Sequence, residues 1–129
     1  MKILAWDTSS HVGTVALLEG KDPSHSQIRS VWTQPIKVSH SETLLLGIDS
    51  ALNDAQVEIG SIDLLVVGNG PGSFTGLRVG AMTAKTLAHT MKKPLIGVSS
   101  SLGLLEAVQI PMGTPAFVLR DAAMGQCFY

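Results

Sequence analysis

The glycine-rich stretch GNGPGSFTGLRVG, Gly68–Gly80, is the most informative part of the sequence for the fold class. The continuous apolar run IDLLVVG leads into it, which is typical of a buried strand in a parallel sheet. Pro71 and Gly72 predict a turn, and Ser73 stands where a helix N-cap belongs. The segment after it, Phe74–Met91, has helical character. A buried strand, a tight turn and a helix in this order indicate an α/β layer fold.

The residues before this stretch predict a β-meander and a helix. Three short strands with tight turns between them are expected at KILAWD, GTVALLEG and QIRSVWTQPI. A helix should follow from Glu42 to about Gln56, with Ser39 or Ser41 as its N-cap. Beyond the glycine-rich stretch, KPLIGV predicts a strand and SSSLGLLEAV a helix. The expected fold class is therefore α/β, with a mixed sheet and elements in the order βββαβαβα.

One helical face of the segment from Glu42 to Gln56 should be buried. At about 100° per residue, six apolar residues fall in one arc. They are Leu44, Leu45, Ile48, Ala51, Leu52 and Ala55. Leu46 lies outside this arc, among polar residues. It is either a lone exposed leucine, which is common, or a residue that a partner covers.

Composition narrows the class of protein. The chain has 129 residues, is 45% hydrophobic and 15% charged, and carries a formal net charge of -1. Its cationic residues form no stripe of the kind that neutralises many phosphates, which argues against strong direct binding of nucleic acid. Cys127 is the single cysteine, so no intrachain disulfide and no cysteine-based metal site can form. The apolar run at the N-terminus is too short for a signal peptide or a membrane span, and we expect a cytoplasmic protein.

The last residues suggest a second structural unit. PAFVLRDAAMGQCFY reads as strand, turn and strand, and a domain rarely ends by starting a new hairpin. We therefore expect residues 1–110 to form a first lobe, residues 111–129 to begin a second one, and the chain to be truncated.

The glycine-rich stretch fits neither of two familiar phosphate-binding motifs. A Walker A loop needs Lys after its last glycine, where this chain has Leu77 and Arg78. The spacing of Gly68, Gly70 and Gly72 is not that of a dinucleotide-binding fingerprint. The backbone N–H groups at the start of the helix, near Gly72 and Ser73, could still hold an anion.

Small residues recur every four positions along the predicted helix that follows. They are Gly76, Gly80, Ala84 and Ala88. Such a face lets another backbone approach closely, either the chain's own sheet or helices, or a helix of another subunit. We place Gly76, Gly80 and Ala84 at a partner interface, together with Leu46 and Arg78. Arg78 either pairs with a carboxylate of the partner or is solvated.

Five motifs together resemble one known family. ILAWDTSS…TVALL, HSETLL, GNGPGSFTGLRVG, PLIGVSSL and RDAAMGQCFY follow in order the pattern of the TsaB family, also called YeaZ. The resemblance covers essentially all 129 residues. It implies an actin-like ATPase (ribonuclease H-like) fold of two similar lobes, of which this chain resembles the first lobe and the first hairpin of the second.

The resemblance also implies a function. TsaB-like proteins are non-catalytic scaffolds that bind a TsaD-like catalytic subunit, act with a TsaE-like ATPase and form homodimers when alone. Together they place a threonylcarbamoyl group on the tRNA adenosine next to the anticodon. This chain is expected to reach tRNA only through the complex. We expect no cofactor of its own, although ATP or ADP could bind at the interface of the complex.

The histidines and Asp7 are the candidate catalytic residues to compare with this expectation. The catalytic relatives hold a metal through a His-x-x-x-His pair, but no two histidines here are four positions apart, so we expect no metal site.

In the wider superfamily an acidic residue at the end of the first strand lies near nucleotide phosphates, and Asp7 has that place. Ser9 and Ser10 could bond phosphate oxygens or satisfy the turn backbone. The alternative function is accordingly a nucleotide-binding or ATP-dependent enzyme lobe of the same superfamily; a metallopeptidase is a third reading without supporting residues.

Overall fold

The predicted meander is present at the start of the chain. The computed structural model describes residues 1–22, 25–36, 40–108, 110–111, 113–123 and 126–128. Strands β1 (Lys2–Asp7), β2 (Val12–Gly20) and β3 (Ser26–Pro35) pair antiparallel in sequence order. Burial alternates along β2, and β1 is apolar from Ile3 to Trp6, so successive side chains of these strands point to opposite faces of the sheet.

Helices and strands then alternate as the sequence predicts. The elements are α1 (His40–Asp54), a short 3-10 helix (Ile59–Ser61), β4 (Leu64–Gly68), α2 (Phe74–Met91), β5 (Leu95–Val98) and α3 (Ser100–Val108). The order βββαβαβα is confirmed, and α2 has the predicted bounds. Strands β6 (Arg120–Ala123) and β7 (Gln126–Phe128) complete the described chain.

The five strands β1 to β5 form one mixed sheet in the order β3-β2-β1-β4-β5. The central strand β1 pairs antiparallel with β2 and parallel with β4, which in turn pairs parallel with β5. Strands β6 and β7 pair with each other as a separate two-stranded sheet, which we call the terminal hairpin. The sheet therefore joins a local meander to two parallel crossovers.

Helices α1 and α2 cover one face of this sheet. The strands contribute alternate residues to the core, among them Leu4, Trp6, Val15, Leu17, Leu65 and Val67. Helix α1 contributes Leu44, Ile48, Ala51, Leu52 and Ala55, and α2 contributes Ala84. Burial of this apolar surface is the main stabilising contribution to the lobe.

Two details of α1 differ from the prediction. The helix begins at His40, so Ser41 lies within its first turn and is not the N-cap; the other candidate, Ser39, lies outside the described residues. Leu45 was placed in the buried arc but is 56% exposed. It lies at the edge of that arc, about 100° from Leu44, and the sheet covers only the stripe nearer the centre.

Helix α2 begins with the predicted cap. The Ser73 hydroxyl accepts a hydrogen bond from the Gly76 N–H at 3.2 Å. The helix ends at Met91, and its C-cap Lys92 has a left-handed backbone and an N–H that donates to the Ala88 and His89 carbonyls. In the described part of the chain, no helix combines the length and apolar character needed to cross a bilayer.

Candidate functional site

The turn after β1 uses its polar side chains on its own backbone. Asp7 is half-buried, and its carboxylate accepts a hydrogen bond from the Ser9 N–H at 2.6 Å. The Ser10 hydroxyl donates to the Val12 carbonyl at 3.0 Å and accepts from the Val12 N–H at 3.1 Å. Of the two readings of Ser10, the structure displays the one in which the hydroxyl satisfies the turn.

The glycine-rich loop lies directly on this turn. The Ser73 N–H donates to the Ser9 carbonyl at 2.7 Å. Gly72 has a φ of 154°, and a Cβ there would collide with the same carbonyl oxygen. Glycine is required at this position because the two backbones approach too closely for any side chain. The loop thereby brings the start of α2 next to the end of β1.

Arg120, at the start of β6, connects the terminal hairpin to both of these loops. Its guanidinium donates to the Pro71 carbonyl at 2.5 Å and to the Ser9 hydroxyl at 3.0 Å. Sequence reasoning missed this residue because its partners lie far away in the chain. One signal was available: after Lys93 it is the sole basic residue.

A cleft opens between the hairpin and the loops. It has a volume of about 660 Å³, and its walls include four of the five residues predicted to contact phosphate: Ser9, Ser10, Gly72 and Ser73. The other walls include His11, Phe74, Arg120, Asp121 and Phe128. Asp7 borders a smaller hollow of about 170 Å³ that shares Ser9, Ser10 and Arg120 with the cleft. The structure therefore brings the predicted phosphate residues together.

Donors and acceptors both face this cleft. The hydroxyls, the guanidinium and the N-terminal end of α2 can hold an anion. The carboxylate of Asp121 lies at the wall, and that of Asp7 borders the adjoining hollow, so both oppose an unneutralised anion there. This combination of hydrogen-bond donors and carboxylates fits a polar ligand that carries hydrogen-bond donors as well as negative charge.

The small-residue face of α2 packs inside the chain, which corrects the placement of three interface residues. Gly76, Gly80 and Ala84 are buried. A Cβ on Gly80 would lie 2.5 Å from the Thr8 hydroxyl, and the Trp6 indole N–H donates to the Gly80 carbonyl at 3.2 Å. The Thr8 hydroxyl in turn donates to the Gly76 carbonyl at 2.7 Å. Small residues at these positions let α2 approach the chain's own sheet.

The opposite side of the same helical layer carries exposed apolar residues. We call this the outer helical surface and define it by Leu45, Leu46, Phe74, Arg78 and Met82. Leu46 is 68% exposed, Phe74 73% and Met82 61%. The Arg78 guanidinium lies over the Phe74 ring, 5.5 Å from its centre. Leu46 and Arg78 thus lie at the surface of the single chain, and their contact with a partner stays a prediction.

Asp63, whose pKa is shifted, lies apart from the cleft. Within the part of the chain that the structure covers, no cluster of three or more His, Cys, Asp or Glu side chains could hold a metal. The pKa of Asp63 is lowered, chiefly because its carboxylate accepts a hydrogen bond from the Lys2 backbone N–H, with smaller contributions from nearby positive charges. Lys2 begins β1, whereas the cleft lies at the end of that strand.

Several known proteins are similar to this chain in sequence and in fold. The model of the family described as TsaD, tRNA N6-adenosine threonylcarbamoyltransferase, matches residues 24–129. The tRNA threonylcarbamoyladenosine biosynthesis protein TsaB of Bacillus subtilis is 36% identical over 78% of this chain and 42% of its own length. A tRNA N6-adenosine threonylcarbamoyltransferase of Brachyspira hyodysenteriae is 36% identical over 76% of this chain and 32% of its own.

A solved structure agrees with both the fold and the sequence. YeaZ from Pseudomonas aeruginosa superimposes with a TM-score of 0.66 at 30% identity, over 77% of this chain and 45% of that one. The predicted actin-like (ribonuclease H-like) α/β fold is thereby confirmed. The chain spans about half the length of the TsaB relatives that it matches. It belongs to the family described as TsaD, tRNA N6-adenosine threonylcarbamoyltransferase, as one of its TsaB (YeaZ) members.

Proposed function

We propose that this chain serves the formation of threonylcarbamoyladenosine in tRNA, as a non-catalytic subunit. The observation that carries the proposal is its membership of the TsaB group, whose relatives are named as biosynthesis proteins of this nucleoside. Some relatives are named as the transferase itself, so the non-catalytic role is the part that needs its own argument.

The histidines supply that argument. The resemblance assigns the catalytic relatives a His-x-x-x-His metal pair on a helix, where both imidazoles share one face. The histidines of this chain stand at positions 11, 25, 40 and 89, so none has a partner one helical turn away. We propose that a TsaD-type subunit provides the catalytic site.

We propose that the outer helical surface binds this subunit. Exposed apolar side chains such as Leu46, Phe74 and Met82 are the kind of residue that anchors an interface once it excludes water. Arg78 beside them can pair with a carboxylate of the partner. In this proposal the same surface joins two copies of the chain in the absence of the subunit. A TsaE-like ATPase and the tRNA then associate with the complex and not with this chain alone.

We further propose a two-lobe arrangement with a nucleotide between its parts. Residues 1–110 form the first lobe, and residues 111–129 belong to a second. The cleft lined by Ser9, Ser10, Gly72 and Ser73 is the place where phosphates of ATP or ADP fit, near Asp7. Calorimetric titration of ADP into the complex and into the chain alone tests this, and loss of binding in Ser73→Ala is expected if the cleft is used.

Capture of the TsaD-type subunit from the same organism tests the surface. Leu46→Asp places a charge on the outer helical surface and should weaken capture at least tenfold. Ile28→Asp is the matched control, because Ile28 is an apolar residue of similar exposure, 64%, that lies on β3 and not on either helix. Equal capture by both variants and the parent would overturn the assignment of the surface.

Reconstitution tests the non-catalytic role separately. Formation of threonylcarbamoyladenosine should require the TsaD-type subunit and should increase when this chain is added. Turnover by this chain without that subunit would overturn the non-catalytic role while leaving its place in the modification intact.

A further inference from the structure

The terminal hairpin is connected to the five-stranded sheet in an unusual way. It forms its own two-stranded sheet and pairs with no strand of the other. Over the residues that the structure describes, no backbone–backbone hydrogen bond joins the hairpin to the rest of the chain. Side-chain contacts do join the hairpin to the loops at the end of the sheet.

Arg120 makes two such contacts, and both end on the loops that form the opposite wall of the cleft. One guanidinium nitrogen donates to the Pro71 carbonyl and another to the Ser9 hydroxyl. A planar guanidinium can bond two acceptors at once in one fixed orientation, which a lysine ammonium cannot reproduce. Ser9 is itself 3% exposed and is held by the Ser73 N–H through its carbonyl, so the acceptor side is rigid.

The chain leading to the hairpin offers little restraint. Between Pro111 and Leu119 the described residues form no helix or strand, and most of them are exposed. Phe117, the largest of these side chains, is 84% exposed. A segment with so few buried contacts opens at low free-energy cost, so the hairpin can move as a unit about it.

We propose that Arg120 is a positioning residue that latches the terminal hairpin onto the β1–β2 turn and the glycine-rich loop, and that releasing this latch opens the cleft. The latch consists of the guanidinium of Arg120, the Ser9 hydroxyl and the Pro71 carbonyl. Both acceptors are neutral, so the guanidinium forms no ion pair within the latch. The proposal concerns the geometry of this chain and holds whether or not the proposed function does.

The chain carries natural probes for a test. Its tryptophans, Trp6 and Trp32, lie in β1 and β3, whereas Cys127, the single cysteine, is exposed in the hairpin. Energy transfer from tryptophan to an acceptor dye on Cys127 therefore reports the distance between the sheet and the hairpin. Time-resolved detection separates a longer mean distance from a broader distribution.

Arg120→Ala should lower the transfer efficiency and broaden the distance distribution, while thermal unfolding of the sheet stays cooperative. Ser9→Ala removes one acceptor hydroxyl and should produce a smaller change in the same direction. Ser10→Ala is the matched control, because that hydroxyl bonds Val12 and not Arg120. Arg29→Ala controls for loss of a guanidinium, since Arg29 pairs with Glu19 on the sheet.

Unchanged transfer in a folded Arg120→Ala chain would overturn the latch. If that variant does not fold, Ser9→Ala decides, since it deletes a single oxygen and keeps the backbone contacts of the turn. Transfer equal to that of Ser10→Ala would then overturn the proposal, and a lower value would support it.

Discussion

At the scale of the residue, close approach explains most of the unusual sequence. Gly80 leaves room for the Thr8 hydroxyl, and Gly72 leaves room for the Ser9 carbonyl. Thr8 is buried, and its hydroxyl is engaged by the Gly76 carbonyl, so it cannot move away without loss of a buried hydrogen bond. These glycines therefore serve the packing of α2 and its loop against β1.

Gly80→Ala should destabilise the chain, even though alanine is the better helix former. The added methyl group would lie 2.5 Å from the Thr8 hydroxyl, and overpacking of this kind costs about 1–3 kcal/mol. Gly103→Ala in α3 is the control, because a Cβ there meets nothing within 4 Å and should gain up to about 1 kcal/mol. Urea unfolding measures both; equal stability of the two variants would contradict the packing argument.

The hydrogen bond from the Lys2 N–H to Asp63 should make stability depend on pH. It lowers the pKa of the folded carboxyl below that of the unfolded chain. Its contribution is therefore fully present above the unfolded pKa of about 3.9 and is lost as pH falls through the folded pKa. The difference in urea midpoint between the parent and Asp63→Asn should disappear at low pH. A constant difference from neutral to acidic pH would contradict this.

At the scale of the element, α1 shows how narrow its buried stripe is. Leu44 and Leu45 are neighbours, yet Leu44 is 2% exposed and Leu45 56%. On the sheet, the Trp32 side chain of β3 packs against α1, where Gly47 leaves space for its ring. The helix is thus seated by a close contact at Gly47 and by a stripe of apolar residues centred near Ile48.

Leu44→Ala and Leu45→Ala form a matched pair on this helix. Leu44→Ala should lower the free energy of unfolding by about 2–5 kcal/mol, because it leaves a cavity in the core. Leu45→Ala should change it by less than about 0.5 kcal/mol, as expected for an exposed position. Chemical unfolding with a single optical probe suffices, and similar losses in both variants would show that the sheet covers both leucines.

The sequence predicts the helices and strands better than it predicts which residues they contact in the folded chain. Apolar runs and caps identify the strand before Gly68, the cap at Ser73 and the bounds of α2, because these signals are local. The face of small residues on α2 permits close approach of another backbone but does not identify which one. Its burial against the chain's own sheet could therefore not be predicted from the sequence. Arg120 was missed for the same reason, since its acceptors at Ser9 and Pro71 depend on the folded chain.

At the scale of the whole molecule, the two sides of the helical layer have separate roles. The inner side of α1 and α2 supplies the core, while the outer helical surface leaves Leu46, Phe74 and Met82 in solvent. Single exposed apolar residues are ordinary, but several on one layer mark a surface that another molecule can cover. The proposed association through this surface should therefore be separable from the stability of the chain.

Leu46→Asp should weaken self-association without lowering the melting temperature. The side chain is exposed in the single chain, so the charge would meet water there and apolar surface in the proposed dimer. Sedimentation velocity across a concentration series, run beside thermal melts, measures both quantities. Ile28→Asp should leave the dimer unchanged, and a large fall in melting temperature for Leu46→Asp would mean that this residue supports the fold.

The position of β1 at the centre of the sheet has a consequence for how the chain is made. Its antiparallel neighbour β2 follows at once, but its parallel neighbour β4 is synthesised only after β3 and α1, when Ile3 can meet Leu64. On the ribosome, the completed meander therefore exposes one bare strand edge, which carries Ile, Leu and Trp, for the time that about thirty further residues take to emerge. Nascent chains stalled before β4 should accordingly be the form most prone to aggregation and to capture by chaperones.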